Sequence, residues 1–271
     1  MGWFLFQDRI KDTGANCIII FTRYRDNHRV TLFSDMKPMA SAEKELDFWE
    51  HVNEIRKRLL ISVLALLAAT VLSFIFAERV IKYLAIPVGG IERLVSIEVT
   101  ENVGVFMQVS LLCGFILAMP VLLYQIVAFI LPGLSKTEAR WLFTALPFVS
   151  ALFITGVLFS YFVMLPSALP FLINFMGVET TPRLRNYYSF VINLMFWTGM
   201  SFQIPIVSFI LAKIKLITYK LLLKQWRIAL IVIAVLAAFI TPTPDPINML
   251  LLMIPLFILF WLSILLAYLA R

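Results

Sequence analysis

Six long stretches of this chain carry no charged side chain, and they leave it almost no soluble fold to adopt. Counted between one Asp, Glu, Lys or Arg and the next, they run 19 residues from Leu59 to Ala77, 34 from Asn102 to Ser135 and 38 from Trp141 to Val178. The other three run 27 residues from Asn186 to Ala212, 17 from Ile228 to Pro244 and 25 from Pro246 to Ala270. Crossing the hydrocarbon core of a bilayer takes about 20 apolar residues in a helix. Composition matters here through its distribution. Residues 1–58 hold 19 of the 39 charges, and the following 213 residues share the other 20. An ordinary soluble domain is about 25% charged and about half apolar, against 14% and 61% here. So much apolar side chain would leave too little polar surface to enclose it, which excludes a soluble enzyme.

The expected fold class is all-α, a polytopic membrane protein whose six transmembrane helices lie at approximately 59–77, 105–130, 140–164, 188–212, 225–240 and 247–268. Residues 39–271 then form a single six-span membrane domain. The 38-residue stretch is too short for two spans and a turn, and Pro166 and Pro170 interrupt its second half. It is read as one helix followed by an apolar external segment. The fifth helix is short, with 13 residues from Ile228 to Ile240 before the Thr241-Pro-Thr-Pro-Asp-Pro246 run stops it. That is roughly 20 Å, against a core of about 30 Å.

An even number of spans puts both termini on one side. With that side cytoplasmic, the inner flanks carry 11 basic residues and the outer ones 5, so the positive-inside bias predicts cytoplasmic termini. The net charge of +7 needs no nucleic acid, because basic flanks beside anionic headgroups account for it. Residues 1–38 carry no span and no convincing signal-peptide core. Met36 or Met39 offers a natural start, and the extension is expected to be an upstream start or a dispensable arm.

Most catalytic chemistries fail on placement. The two histidines, His28 and His51, both precede the first span, which excludes a Ser–His intramembrane hydrolase. Cys17 and Cys113 are isolated, with no ligand spacing for a metal. No glycine-rich phosphate loop is present. An enzyme, a cofactor and a metal are not expected.

Polar side chains at membrane depth are costly and draw attention for that reason. Gln203 lies mid-way along the fourth helix in Ser201-Phe-Gln-Ile-Pro205, and Pro205 predicts a kink there. Gln125 occupies a similar place in the second helix, and Asn193 lies near the outer end of the fourth. Such amides can simply bond across helices within one bundle. Alternatively Gln203, Gln125 and the Pro205 kink form the midplane site of a small-solute secondary transporter. Against the transporter stand the lack of a visible inverted repeat and of any charged midplane group.

At the predicted cytoplasmic face, Trp49, Val52, Ile55 and Leu59 recur at spacings of three and four. They predict an amphipathic helix lying on the interface before it turns into the first span. His51, Glu54 and Arg58 share another face of it. Glu54 is spaced for an ordinary i,i+4 pair with Arg58. Glu138 falls on the same side, in the loop from Phe129 to Arg140.

In this order, the residues also carry a likeness. The run His51-x-x-Glu54-Ile-Arg56-x-Arg58 is followed by Ala85-Ile-Pro87, then Pro120-Val-Leu-Leu-Tyr-Gln125 with Ala128-Phe129. Next come Pro132-Gly-Leu134, Glu138-x-Arg140, Ser201-Phe-Gln-Ile-Pro205 and Thr241-Pro-Thr-Pro-Asp245. Over roughly residues 46–268 this series resembles TatC, the polytopic subunit of the twin-arginine protein translocase.

The resemblance implies recognition of folded precursors through a signal peptide with two consecutive arginines. It implies export driven by the proton-motive force across the cytoplasmic membrane. By motif position, Glu54 and Glu138 would be the carboxylates that meet the arginines, a geometry that selects Arg-Arg over Lys-Lys. Phe129 would line the apolar part of the contact, while Arg56, Arg58, Arg140 and His51 shape the surface. Gln203 and Pro205 would serve partner docking within the membrane, and Pro87 and Asp245 match positions in the outer cap. Implied partners are twin-arginine precursors, TatA-type single-span subunits and, where a second kind exists, TatB-type ones, in an oligomeric complex within the lipid bilayer. Many family members carry glutamate where Gln203 stands. Glutamine keeps the hydrogen bonding and cannot titrate. A third reading, a purely structural scaffold, would leave Glu54 and Glu138 free to mutate.

Overall fold

In a computed structural model, the described residues are 39–130, 136–173, 181–213, 216–241 and 246–269. Side chains are placed within 52–129, 146–173, 181–213, 216–241 and 246–268. The chain divides into two units, Met1–Leu46 and Asp47–Arg271. The described part of the first is the opening of one helix, and the second holds a helical bundle. The extension 1–38 lies outside the described residues.

Among those residues the helices are α1 (Met39–Ser73), α2 (Ala77–Leu84), α3 (Glu101–Ile130), α4 (Lys136–Phe159), α5 (Leu165–Ile173), α6 (Leu184–Ser201), α7 (Ile204–Lys213), α8 (Tyr219–Lys224), α9 (Trp226–Ile240) and α10 (Pro246–Leu269). Each of the six predicted segments is helical. Glu101–Phe129, Leu146–Ile173, Leu184–Lys213 and Pro246–Tyr268 are each long and apolar enough to cross a membrane. Val52–Ser73 and Ala77–Val88 make a further pair, bent by 76°, and Trp226–Ile240 is a shorter apolar helix. The fold is all-α and multi-pass.

Two expectations need correction. The predicted third span, 140–164, does not end there: α4 passes through a π-helical turn, Ser160–Met164, into α5, which continues past Pro166 and Pro170 to Ile173. Proline denies a helix one N–H and crowds the carbonyl four residues back. The wider π turn just before Pro166 takes up that misfit, so the apolar external segment is helix as far as Ile173, the last described residue there. The interfacial turn before the first span is also absent, since α1 runs unbroken from Asp47 to Ser73. Its break comes later, where the Phe74, Ile75 and Phe76 N–H groups donate to carbonyls three residues back and tighten the chain into a turn.

The break at Pro205 is as expected. α6 ends at Ser201 and α7 starts at Ile204, with Pro205 as its second residue, where a missing N–H costs nothing. α9 has 15 residues, about 22 Å of helix. It stops where Thr241 turns extended (φ −80°, ψ 114°), the conformation that a following proline favours.

Small residues set how closely these helices approach, as they do where lipid provides no hydrophobic drive for association. A Cβ on Gly199 would lie 2.8 Å from the Phe153 ring, and one on Gly156 would lie 3.0 Å from the Gly199 Cα, so α4 and α6 touch backbone to backbone. The fully buried side chains include Phe153, Met164, Leu165, Tyr188, Leu194, Leu252 and Leu256. Outward residues such as Leu64, Leu67, Val235, Ile254 and Ile258 are exposed, as lipid-facing positions are.

At the Pro87 end, three tyrosines hold α2 in place. The Tyr188 hydroxyl donates to the Ile81 carbonyl at 2.8 Å, Tyr161 to Tyr83 at 2.7 Å and Tyr187 to Leu84 at 2.6 Å. These carbonyls belong to the last turn of α2, where a helix runs short of backbone donors; the Ile81 carbonyl also accepts the Ala85 N–H at 3.2 Å. Tyr187→Phe removes one such bond without changing the packing. It is expected to lower stability by about 1 kcal/mol, read as a fall in the melting temperature of the purified chain. An unchanged melting temperature would count against this account of the clamp.

Candidate functional site

The residues singled out in the sequence fall at two ends of the bundle and at one point inside it. At the first end, α1 presents Glu54 with Arg58 one turn later. Arg58 donates from Nε and Nη2 to Glu54 Oε1, at 3.0 and 2.6 Å. The Glu54 side chain keeps 29% of its surface exposed. The pair is thus the predicted i,i+4 one, with both bonds on the same oxygen. The two bonds from Arg58 orient the Glu54 carboxylate.

Arg56 is exposed beside this pair, and Phe129 is half-buried in the last turn of α3. Glu138 and Arg140 lie on the first turns of α4, and His51 lies in α1. Their side chains are outside the described residues, as is Asp245.

Inside the bundle, Gln203 sits in the break between α6 and α7, 5% exposed. Its Nε2 donates to the Val149 carbonyl of α4 at 3.3 Å, while its Oε1 is buried with no hydrogen-bond partner among the described residues. Pro205 is buried next to it. The amide therefore faces this chain's own α4. Gln125 is also buried, whereas Asn193 is exposed. Asn193 lines a cavity of about 360 Å³ with Gln108, Ser189, Leu66 and Phe115. Ser189 Oγ donates to Gln108 Oε1 there at 3.3 Å.

Gln203→Leu keeps the volume, loses one long hydrogen bond and removes one unpartnered oxygen. These two effects are each about 1 kcal/mol and oppose one another. The melting temperature of the chain is therefore expected to stay within a few degrees of wild type; a large drop would mean that the amide braces the bundle.

The Pro87 end holds a cluster that sequence reasoning missed. Arg183, just before α6, bonds Glu98 at 2.8 Å and also Glu101 at the start of α3. Beside it, Val95 and Arg183 form a parallel bridge, with the Leu184 N–H donating to the Val95 carbonyl at 2.9 Å. The Glu101 carboxylate is fully covered, closed in by Arg183 and the Ile97 N–H at the rim of the bundle rather than by depth. Glu101 first, then Glu98, raise the Arg183 pKa further above its ordinary value. In the sequence, Arg183 counted only as one of the few outer cations. Pro87 is half-buried in the 3-10 turn Ile86–Val88 that follows α2.

No group of three or more His, Cys, Asp or Glu among the described residues is placed to hold a metal ion. What the geometry offers is a pre-oriented carboxylate among cations at one end, a stapled cap at the other and an inward amide between them.

Known proteins share this architecture. Residues 50–255 match the family described as Sec-independent protein translocase protein (TatC). The chain is 34% identical over 228 residues to the "Sec-independent protein translocase protein TatC" of Carboxydothermus hydrogenoformans, covering 83% of this chain and 94% of that protein. It is 35% identical over 238 residues to the "Sec-independent protein translocase protein TATC, chloroplastic" of Pisum sativum, covering 85% and 67%. The solved structure described as "Twin Arginine Translocase Receptor- TatC in DDM" superposes with a TM-score of 0.70 at 34% identity, covering 80% of this chain and 99% of that one. A second, "Twin Arginine Translocase Receptor- TatC", gives 0.66 at 35% identity, covering 81% and 99%.

Proposed function

The chain belongs to the TatC family, and from that premise we propose that it is the signal-peptide receptor and core subunit of a twin-arginine translocase, exporting folded proteins across the membrane. The observation that carries this reading is Glu54, held by Arg58 yet still 29% exposed near the middle of α1.

The chemistry favours arginine in particular. A guanidinium presents a planar fork of donors that a carboxylate accepts two at a time, whereas an ammonium is a point charge with no such fit. Two carboxylates, Glu54 and Glu138, would each take one arginine of the pair. Arg56, Arg58, Arg140 and His51 frame the surface, and Phe129 takes the apolar residues beside the arginines. Arg58 has a second effect: it fixes the Glu54 rotamer in advance, so less side-chain freedom is lost when the peptide binds.

Both termini and this face are assigned to the cytoplasm, supported by the 11 basic flanking residues on that side against 5 on the other. The membrane is then the cytoplasmic one, and the proton-motive force drives transport. The chain has no catalytic activity of its own in this reading. Single-span TatA-type subunits, with TatB-type ones where they exist, dock in the membrane near the Gln203–Pro205 break. Because the amide faces α4, docking would use the backbone displaced by the break. Pro87 and Asp245 shape the outer cap.

The test is site-specific crosslinking from positions 54 and 138 in native membranes, using a precursor with an Arg-Arg signal peptide and the same precursor with Lys-Lys. Crosslinks that require Arg-Arg and disappear with Glu54→Ala or Glu138→Ala are expected. Equal crosslinking of both precursors would sink the proposal.

A further inference from the structure

The connection from α7 to α9 gathers cations without gathering carboxylates. Lys220 and Lys224 lie one turn apart on α8, and Arg227 follows in the first turn of α9. From residue 186 to the C-terminus the chain contains a single acidic residue, Asp245, which in sequence follows α9 by five residues. Lys220, Lys224 and Arg227 form no ion pair among the described residues, and Lys224 and Arg227 are exposed, as is Lys220. The three sit within a short distance, since a six-residue helix is only about 9 Å long.

The surroundings of the three cations are apolar and aromatic. Tyr219 meets Tyr268 edge to face at 5.3 Å, which fixes the start of α8 at the end of α10. Leu221, Leu223, Trp226 and Ile228 are each 42–57% exposed around the cations, and the Arg227 guanidinium lies 5.7 Å from the centre of the Trp226 ring. A soluble anion gains nothing from those side chains. An anion joined to acyl chains meets both parts of the surface at once.

Helix length points the same way. At about 22 Å, α9 falls short of a hydrocarbon core of about 30 Å, so headgroups must come inward to meet its end. Cations at that end would hold such headgroups in place.

We infer that Lys220, Lys224 and Arg227, with Trp226, form a binding site for the phosphate of an anionic phospholipid. The lipid is bound by charge at the headgroup and by the exposed leucines along the first part of its chains. The site uses none of the residues assigned to the signal peptide and does not depend on the signal-peptide reading.

The experiment is native mass spectrometry of the full chain in detergent, titrated with phosphatidylglycerol or with phosphatidylcholine. Wild type is expected to retain phosphatidylglycerol selectively. Lys220→Gln, Lys224→Gln and Arg227→Gln are each expected to weaken that retention roughly fivefold, and the triple variant roughly a hundredfold. The charge-preserving set Lys220→Arg, Lys224→Arg and Arg227→Lys should keep it. The single variants keep the test decisive if the triple variant fails to fold. Equal retention of phosphatidylcholine, undiminished retention in all three single variants, or displacement of the lipid by millimolar inorganic phosphate would each overturn the site.

Discussion

Replacing Glu54 by glutamine is expected to abolish the preference for two arginines while leaving α1 intact. The substitution removes an i,i+4 pair, worth only a few tenths of a kcal/mol to a helix, so the melting temperature should barely move. Its effect on binding is larger. A hydrogen bond to a charged partner contributes roughly 1.5–3 kcal/mol, or about ten- to a hundredfold in affinity. Arg58 would also lose the negative charge that it holds at 2.6 Å, leaving a cation without a counter-charge to repel the incoming arginines. Affinities of the purified chain for Arg-Arg and Lys-Lys peptides check this directly. Wild type should separate the two peptides and the variant should not. Undiminished discrimination in the variant would move recognition away from Glu54.

The second large effect is structural: Gly114→Ala should loosen α1 from the bundle. A Cβ at Gly114 would collide with Thr70 Oγ1 and would lie 2.6 Å from its Cα and 2.7 Å from its N. Two of those atoms are backbone, so no side-chain rotation relieves the clash and the helices must separate. Overpacking by a single methyl in a tight site costs about 1–3 kcal/mol, and a backbone clash belongs at the upper end. Gly104→Ala is the control, because nothing lies within 4 Å of a Cβ there. Thermal unfolding of the two variants in detergent should give a clear drop for Gly114→Ala and none for Gly104→Ala. Equal melting temperatures would show that Thr70 and Gly114 do not set the contact.

The spans were legible because lipid imposes one requirement that sequence displays openly, the absence of charge over a fixed length. The break at Pro205 and the Glu54–Arg58 pair were legible too, since each depends on residues within a turn of one another. The run through Pro166 and Pro170 was not. Proline ends helices in water, whereas here a π turn five residues long absorbs it, and no side chain announces that turn. Contacts across large separations were equally hidden. Arg183 reaches Glu101 over 82 residues, and Tyr187 reaches Leu84 over 103. The inward direction of Gln203 depends on which side of α6 meets Val149, which periodicity alone leaves open.

The attachment of α1 carries a mechanical consequence. From Val52 to Ser73 its sole fully buried side chain is Ser73, and at Thr70 its backbone comes close enough to Gly114 to leave no room for a Cβ there. Those 22 residues, about 33 Å of rigid rod, therefore act as a lever whose fulcrum lies at the end remote from Glu54. Tilting such a rod by about 10° swings its Val52 end through roughly 6 Å, by the same rise per residue. In the proposed reading, cargo that seats against Glu54 has the long arm, and Gly114 feels the torque.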